Sequence, residues 1–182
     1  ILSRCAYNEC MIFELFLLYV PAMVANMAPV IFGKSNVLLW LNKPIDYGIS
    51  LQGKRILGDN KTIRGLVVGV ISAAGMGAIL FILLGEHPYE NLFSALVYGA
   101  ATGFGALLGD SVKSFFKRRV GIAPGSLWIP FDQIDFVIGA TLFALLFIEI
   151  SLLNILFAII FIGFLSYVVS TIGFALHIKK NL

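Results

Sequence analysis

Histidine and cysteine are nearly missing from this chain of 182 residues, which has two of each. His87 sits in a short connection, His177 lies near the end, and Cys5 and Cys10 both fall near the start. The longer polar segments therefore contain neither type, and that argues against a zinc centre or a His-based hydrolytic triad there. The two cysteines have no metal-type spacing, and a disulfide between them is not expected. Charge is also scarce at 13% of residues, against about 25% in soluble domains. No internal repeat or low-complexity tract stands out, which weighs against a repeat-built transporter. The first apolar run is too long for a signal peptide and lacks a small-residue cleavage pattern, so no cleaved leader is expected within it.

What is abundant is oil-like sequence. Hydrophobic residues make up 59% of the chain and mean hydropathy is +0.96, so the expected solvent is a lipid bilayer. Apolar runs of roughly 20 residues can cross about 30 Å of hydrocarbon as helix. Five are read, at about 11–32, 66–84, 92–108, 134–150 and 152–176. The predicted fold is an all-α, polytopic membrane domain over residues 1–182, with larger polar loops at 33–65 and 109–133. Glu149, Ser151 and Asn154 mark a turn between the last two runs, because charged and amide groups cost least at an interface. With five spans, 12 of the 13 basic residues fall on one side, and only Arg4 falls opposite. The positive-inside rule then makes both large loops and the C-terminus cytoplasmic, with the N-terminus external, in a multi-pass cell-membrane protein. Oligomeric state is not legible, and no nucleic-acid partner is expected.

The first run contains Pro21, Asn26 and Pro29, so a kinked or broken helix bordering a cavity is expected. Residues 33–65 open with Val37 to Leu41, an apolar stretch flanked by Lys34 and Lys43 that suits an interfacial element. They continue with Gly48, Gly53, Gly58 and Gly65 among bases. Glycine lets backbone turn sharply, and backbone amides in such turns can form an anion nest. A flexible loop has the same glycines, but "GDNKT" with Arg55 favours a phosphate site. In the third run, Gly99, Gly103, Gly105 and Gly109 have the spacing that lets helices pack closely in lipid.

Chemistry concentrates in "GDSVKSFFKRR" and "PFDQIDF". If the first continues the third helix, Asp110, Lys113, Ser114 and Lys117 recur at i, i+3, i+4 and i+7 and share one face. That pattern allows a plain Asp110–Lys113 ion pair, or a metal ligand above two phosphate clamps. Asp132 and Asp135 lie three apart at the start of the fourth run. Should that end pack beside Asp110, three negative charges converge, and they need compensation. Hard cations with oxygen ligands are the usual source, Mg²⁺ taking one or two carboxylates plus substrate phosphates. Asp, Lys, Arg, Ser and Asn without His or Cys suit phosphoryl or nucleotidyl transfer, where positioning and charge neutralisation dominate.

These segments, with "PIDYGISLQGKRILGDNKTIRG" and "GDSVKSFFKRRVGIAPGS", resemble the archaeal CDP-archaeol synthases, relatives of the phosphatidate cytidylyltransferases. The resemblance runs from about Pro44 to Ala140, and the five-span plan extends it to nearly the whole chain. It implies transfer of CMP from CTP to a di-geranylgeranyl glycerol phosphate in the bilayer, with Mg²⁺, releasing pyrophosphate. By matching positions, Asp110, Asp132 and Asp135 would hold metal, and Lys113, Ser114, Lys117 and Arg118 would meet phosphates. Asn60, Lys61, Thr62 and Arg64 would serve the nucleotide side. Ala123 and Pro124 replace a Lys-Asp pair of the phosphatidate enzymes, "LWIPF" replaces their His-Gly-Gly, and "DQID" replaces D-R-x-D. A phosphate contact supplied by those bases in the phosphatidate enzymes is then either absent or comes from elsewhere, with Arg119 and Arg64 as the candidates. Two other readings fit the composition: an intramembrane Mg²⁺-dependent prenyltransferase and a non-enzymatic transporter.

Overall fold

The computed structural model describes residues 10–85, 89–123, 126 and 128–175. Arg4, Cys5, His87, His177, Lys179 and Lys180 lie outside the described residues. Five helices carry the fold: α1 (Cys10–Ile31), α2 (Ile63–Leu84), α3 (Leu92–Arg119), α4 (Phe131–Ala144) and α5 (Leu152–Ala175). Helices α2, α3 and α5 are long and apolar enough to cross a membrane, and α1 has a shorter apolar stretch at Leu15–Ile31. Helix α4 has 14 residues and stops at Ala144, short of the expected Ile150. Its end tightens because Leu146 and Phe147 donate to the carbonyls three residues back, Phe143 and Ala144. Between α1 and α2 lie two short 3₁₀ turns, Phe32–Lys34 and Leu39–Leu41, and a two-stranded antiparallel hairpin, β1 (Ser50–Leu51) and β2 (Lys54–Arg55). The glycine pattern of this loop predicts turns alone, and the hairpin between them is an addition.

Helix α3 is central, packing on α1, α2 and α4, while α5 packs mainly on α4. The glycines of α3 divide between two neighbours. Gly99 and Gly103 press on Ala73 of α2, whereas Gly105 and Gly109 press on the backbone of Gly139 and Asp135 in α4. A Cβ on Gly105 would stand 2.5 Å from the Gly139 carbonyl oxygen, so the backbones touch only because side chains are missing there. Tyr19, Ala22, Phe136, Val137 and Ile162 fill the space between α1, α4 and α5, and the Tyr19 hydroxyl lies 2.6 Å from Thr141 Oγ1.

Helix α1 is not broken. It runs continuously through Pro21 and Pro29. Proline at 29 removes the donor that the Ala25 carbonyl would otherwise have, and that carbonyl faces Gly69 of α2, where close backbone approach covers it.

Candidate active site

The close α3–α4 seam sets the chemistry. Asp110 follows Gly109 directly, and Gly109 lies against the Asp135 backbone, so the acids of the two helices are forced together. They converge on one ammonium. Lys113 Nζ lies 2.9 Å from Asp110 Oδ1, 2.8 Å from Asp132 Oδ1 and 2.7 Å from Asp135 Oδ2. The conditional expectation of three converging carboxylates is realised, and the plain Asp110–Lys113 ion pair is also present. Two further ammonium groups pair with these acids: Lys61 with Asp110, and Lys117, whose Nζ sits 3.0 Å from both Asp132 oxygens. Three carboxylates face three ammonium groups. Among the described residues no three acidic, His or Cys groups are arranged round a vacant cation position.

Asp132 is fixed further by the Trp128 N–H, which donates to Oδ2 at 2.5 Å, while Lys117 Nζ also donates to the Ser126 carbonyl at 2.5 Å. Asp135 is held at Oδ1 by the Phe136 N–H at 2.8 Å. Its Oδ2 is buried and, although Lys113 is close, accepts no hydrogen bond of good geometry. That oxygen has a charge beside it and an open lone pair. Ser114 Oγ donates to the Asp110 carbonyl within α3.

A cavity of about 130 Å³ lies beside the cluster. Asp110, Lys113, Ser114, Lys117 and Arg118 line its helical side, and Leu57, Gly58, Asp59, Asn60 and Lys61 line the other. Asp132 and Asp135 do not line it, and they reach it through Lys113. Drug-sized pockets run to roughly 300–1,000 Å³, so this space matches a phosphate-sized group better than a whole nucleotide. Four cationic side chains, Lys61, Lys113, Lys117 and Arg118, face that volume.

Several predicted site residues are occupied elsewhere. Arg55 is taken by Asp46 and Asp59, at 2.6 and 2.7 Å. Arg64 is buried and donates to the Phe32 and Ser35 carbonyls at 2.5 and 2.8 Å, tying α2 to the end of α1. Thr62 is the N-cap of α2, its Oγ1 accepting from the Gly65 N–H at 3.0 Å. Arg119 donates to the carbonyls of Leu51, Lys54 and Arg55, and Lys54 donates back to the Arg119 carbonyl. It tethers the hairpin to the end of α3. Sequence reasoning passed over Asp46, whose side chain is 2% exposed. A signal was present, since "DYG" is the pattern of an Asx turn, and Asp46 Oδ1 accepts from the Gly48 N–H at 3.2 Å. Burial alone would raise the Asp46 carboxyl. The Arg55 guanidinium and the N–H groups of Leu57, Gly58 and Gly48 outweigh it and hold the group well below the usual carboxylate range.

Apolar helices that bury an acid and ammonium cluster against a phosphate-sized cavity define a multi-pass membrane protein built to handle phosphate groups. Comparison with known proteins specifies the class. Residues 9–182 match the family model described as CarS-like, CDP-archaeol synthase. A CDP-archaeol synthase of Methanospirillum hungatei is 41% identical over 149 residues, 75% of this chain and 87% of the relative. One from Sulfurisphaera tokodaii is 42% identical over 168 residues, 91% of this chain and 86% of the relative. A solved structure, described as an intramembrane enzyme for archaeal membrane lipid biosynthesis, superposes with a TM-score of 0.75 at 32% identity, covering 88% of this chain and 94% of that one. The chain belongs to the CDP-archaeol synthase family and is a CTP-dependent cytidylyltransferase of membrane-lipid synthesis. Neither the prenyltransferase nor the transporter reading finds support.

Proposed function

We propose that this protein transfers CMP from CTP to a di-geranylgeranyl glycerol phosphate, giving an unsaturated CDP-archaeol and pyrophosphate. The observation that carries the reading is the cavity between the two polar segments, with four cationic side chains facing it and three carboxylates gathered on one of them, Lys113. An oxygen of the lipid phosphate attacks the α-phosphorus of CTP, the bond to the bridging oxygen breaks, and pyrophosphate leaves with that electron pair. A phosphate monoester has a second pKa of about 6 and is largely dianionic at neutral pH, so the protein needs no general base. Lys61, Lys117 and Arg118 neutralise triphosphate and lipid phosphate oxygens. Asn60 and Ser114 lie on the same cavity and orient them.

The donor chemistry suits Mg²⁺, since it is all oxygen, although the position that the three carboxylates share is held by the Lys113 ammonium. Asp110, Asp132 and Asp135 would hold the ion, which when bound polarises the phosphoryl oxygens and neutralises the developing charge. Lys113 contacts the acids and also lines the cavity, so with a cation bound to the carboxylates its ammonium would serve the phosphates. Helices α1, α2, α3 and α5 cross the bilayer, α4 with 14 residues is too short to do so alone, and the site lies on the cytoplasmic side where the basic loops lie. The acceptor enters from the lipid and CTP from water.

Product analysis tests the substrate assignment. Purified protein, CTP, Mg²⁺ and the geranylgeranyl-ether phosphate should give a lipid whose mass has risen by one CMP, with one pyrophosphate per lipid. Pyrophosphate without that lipid, or a prenylated product, would contradict the assignment.

A further inference from the structure

The cavity's outer wall, Leu57 to Lys61, belongs to no helix or strand, yet it must hold five residues against the α3 face. Its anchor is Asp46. Oδ2 accepts from the Leu57 N–H at 2.9 Å and the Gly58 N–H at 3.1 Å, both belonging to wall residues. Oδ1 accepts from the Gly48 N–H and, at 2.6 Å, from Arg55 Nη2. Arg55 then reaches Asp59 in the wall itself. Gly58 has φ of +96°, a conformation that side-chain-bearing residues rarely adopt, and its carbonyl accepts from the Lys61 N–H at 3.2 Å. The connection runs from Asp46 to Gly58 to Lys61, whose ammonium meets Asp110. At the base, Ile45 donates to the Lys61 carbonyl and Ile63 to the Lys43 carbonyl, so only the apex depends on the buried carboxylate.

From this geometry we infer that Asp46 is a positioning residue for the nucleotide: with Arg55 it presets the Leu57–Lys61 wall that receives CTP, without touching substrate. The inference rests on the cytidylyl-transfer reading and deepens it. It also gives Arg55 a role different from a phosphate ligand. Asp46 lies outside the aspartate cluster, so its loss should weaken nucleotide capture and leave the reaction at the α3–α4 seam intact.

The test is a comparison of KM for CTP, KM for the lipid phosphate and kcat in wild type, Asp46→Asn, Arg55→Ala and the double variant, with CTP binding read by calorimetry. Asp46→Asn should raise KM and Kd for CTP about tenfold or more, because small displacements of positioning groups have effects of that order. At saturating CTP, kcat and the lipid KM should stay near wild type. Arg55→Ala, which leaves the three N–H bonds to Asp46, should act in the same direction more weakly, and the double variant should be no worse than Asp46→Asn. A folded Asp46→Asn protein with wild-type CTP affinity, or with kcat and both KM values equally impaired, would overturn the inference. Additive effects would too, by placing Arg55 on the phosphates. Should Asp46→Asn not fold, wild-type CTP affinity in Arg55→Ala would be the overturning result. Wild-type protein that bound no CTP would sink the transfer reading beneath it.

Discussion

The two walls of the cavity are built in opposite ways. The helical wall stands on backbone contact: Gly105, Gly109 and Gly139 let α3 and α4 touch, and every carboxylate of the cluster projects from that seam. The loop wall has no such packing. Gly48, Gly53 and Gly58 face open space, and the segment is held by hydrogen bonds to Asp46 and by the Arg119 tether. A seam of touching backbones keeps charges at fixed distances, as a buried charge cluster requires. A polar-braced loop can yield to admit a nucleotide larger than the cavity.

The largest way to break this contrast is at the seam. Asp132→Asn removes the carboxylate shared by Lys113 and Lys117, and turnover should fall by roughly 10²–10³-fold or more with helix content and elution volume unchanged. Retained turnover at high Mg²⁺ would move the metal away from this motif. Next is Lys113→Gln, which should lose turnover but bind Mn²⁺ in the absence of nucleotide roughly tenfold more tightly, since a competing charge is gone. Unchanged or weaker Mn²⁺ binding, read by electron paramagnetic resonance, would mean that the ammonium does not hold the cation's place.

Smaller effects should come from packing and from the loop. Gly139→Ala drives a methyl into the Gly105 backbone and should cost about 1–3 kcal/mol, seen as a lower Tm. No loss would show that the seam tolerates separation. Arg119→Lys cannot reproduce a fork that reaches three carbonyls. It should raise KM for CTP a few-fold, about 1 kcal/mol, and expose the hairpin to protease; wild-type values for both would show that the tether is idle. The smallest effect is the acid dependence of the loop. The Asp46 carboxyl titrates below its ordinary value when folded, so its stabilisation is complete above about pH 4 and is lost progressively as pH falls from there toward the folded value. Thermal melts from pH 3 to 7 should show a steeper acid loss in wild type than in Asp46→Asn, and parallel curves would contradict the sign.

Much of the helical wall was legible in the sequence. Hydropathy alone marks α2, α3 and α5, and the i, i+3, i+4, i+7 spacing of Asp110, Lys113, Ser114 and Lys117 places them on one face because α3 continues past its apolar part. Whether α4 brought Asp132 and Asp135 to the same point could be stated only as a condition, since no local pattern encodes which helices meet. The loop wall was less legible for a physical reason. An arginine that satisfies carbonyls and one that clamps a phosphate have the same side chain and similar neighbours in sequence. The loop residues point Arg55 toward phosphate and the resemblance adds Arg64 and Arg119, while in the structure each bonds the protein's own acids or backbone. Thr62 is ambiguous in the same way, because a cap hydroxyl looks like a phosphate ligand until the helix start is known.

The most direct measurement is transfer of label from α-labelled CTP into an organic-soluble product by wild type and Asp132→Asn side by side, each with Mg²⁺ and with EDTA. The account predicts metal-dependent label in the lipid phase for wild type and none for the variant. Equal label from both proteins, or label that survives EDTA, would contradict the claim that the α3–α4 aspartates carry the reaction.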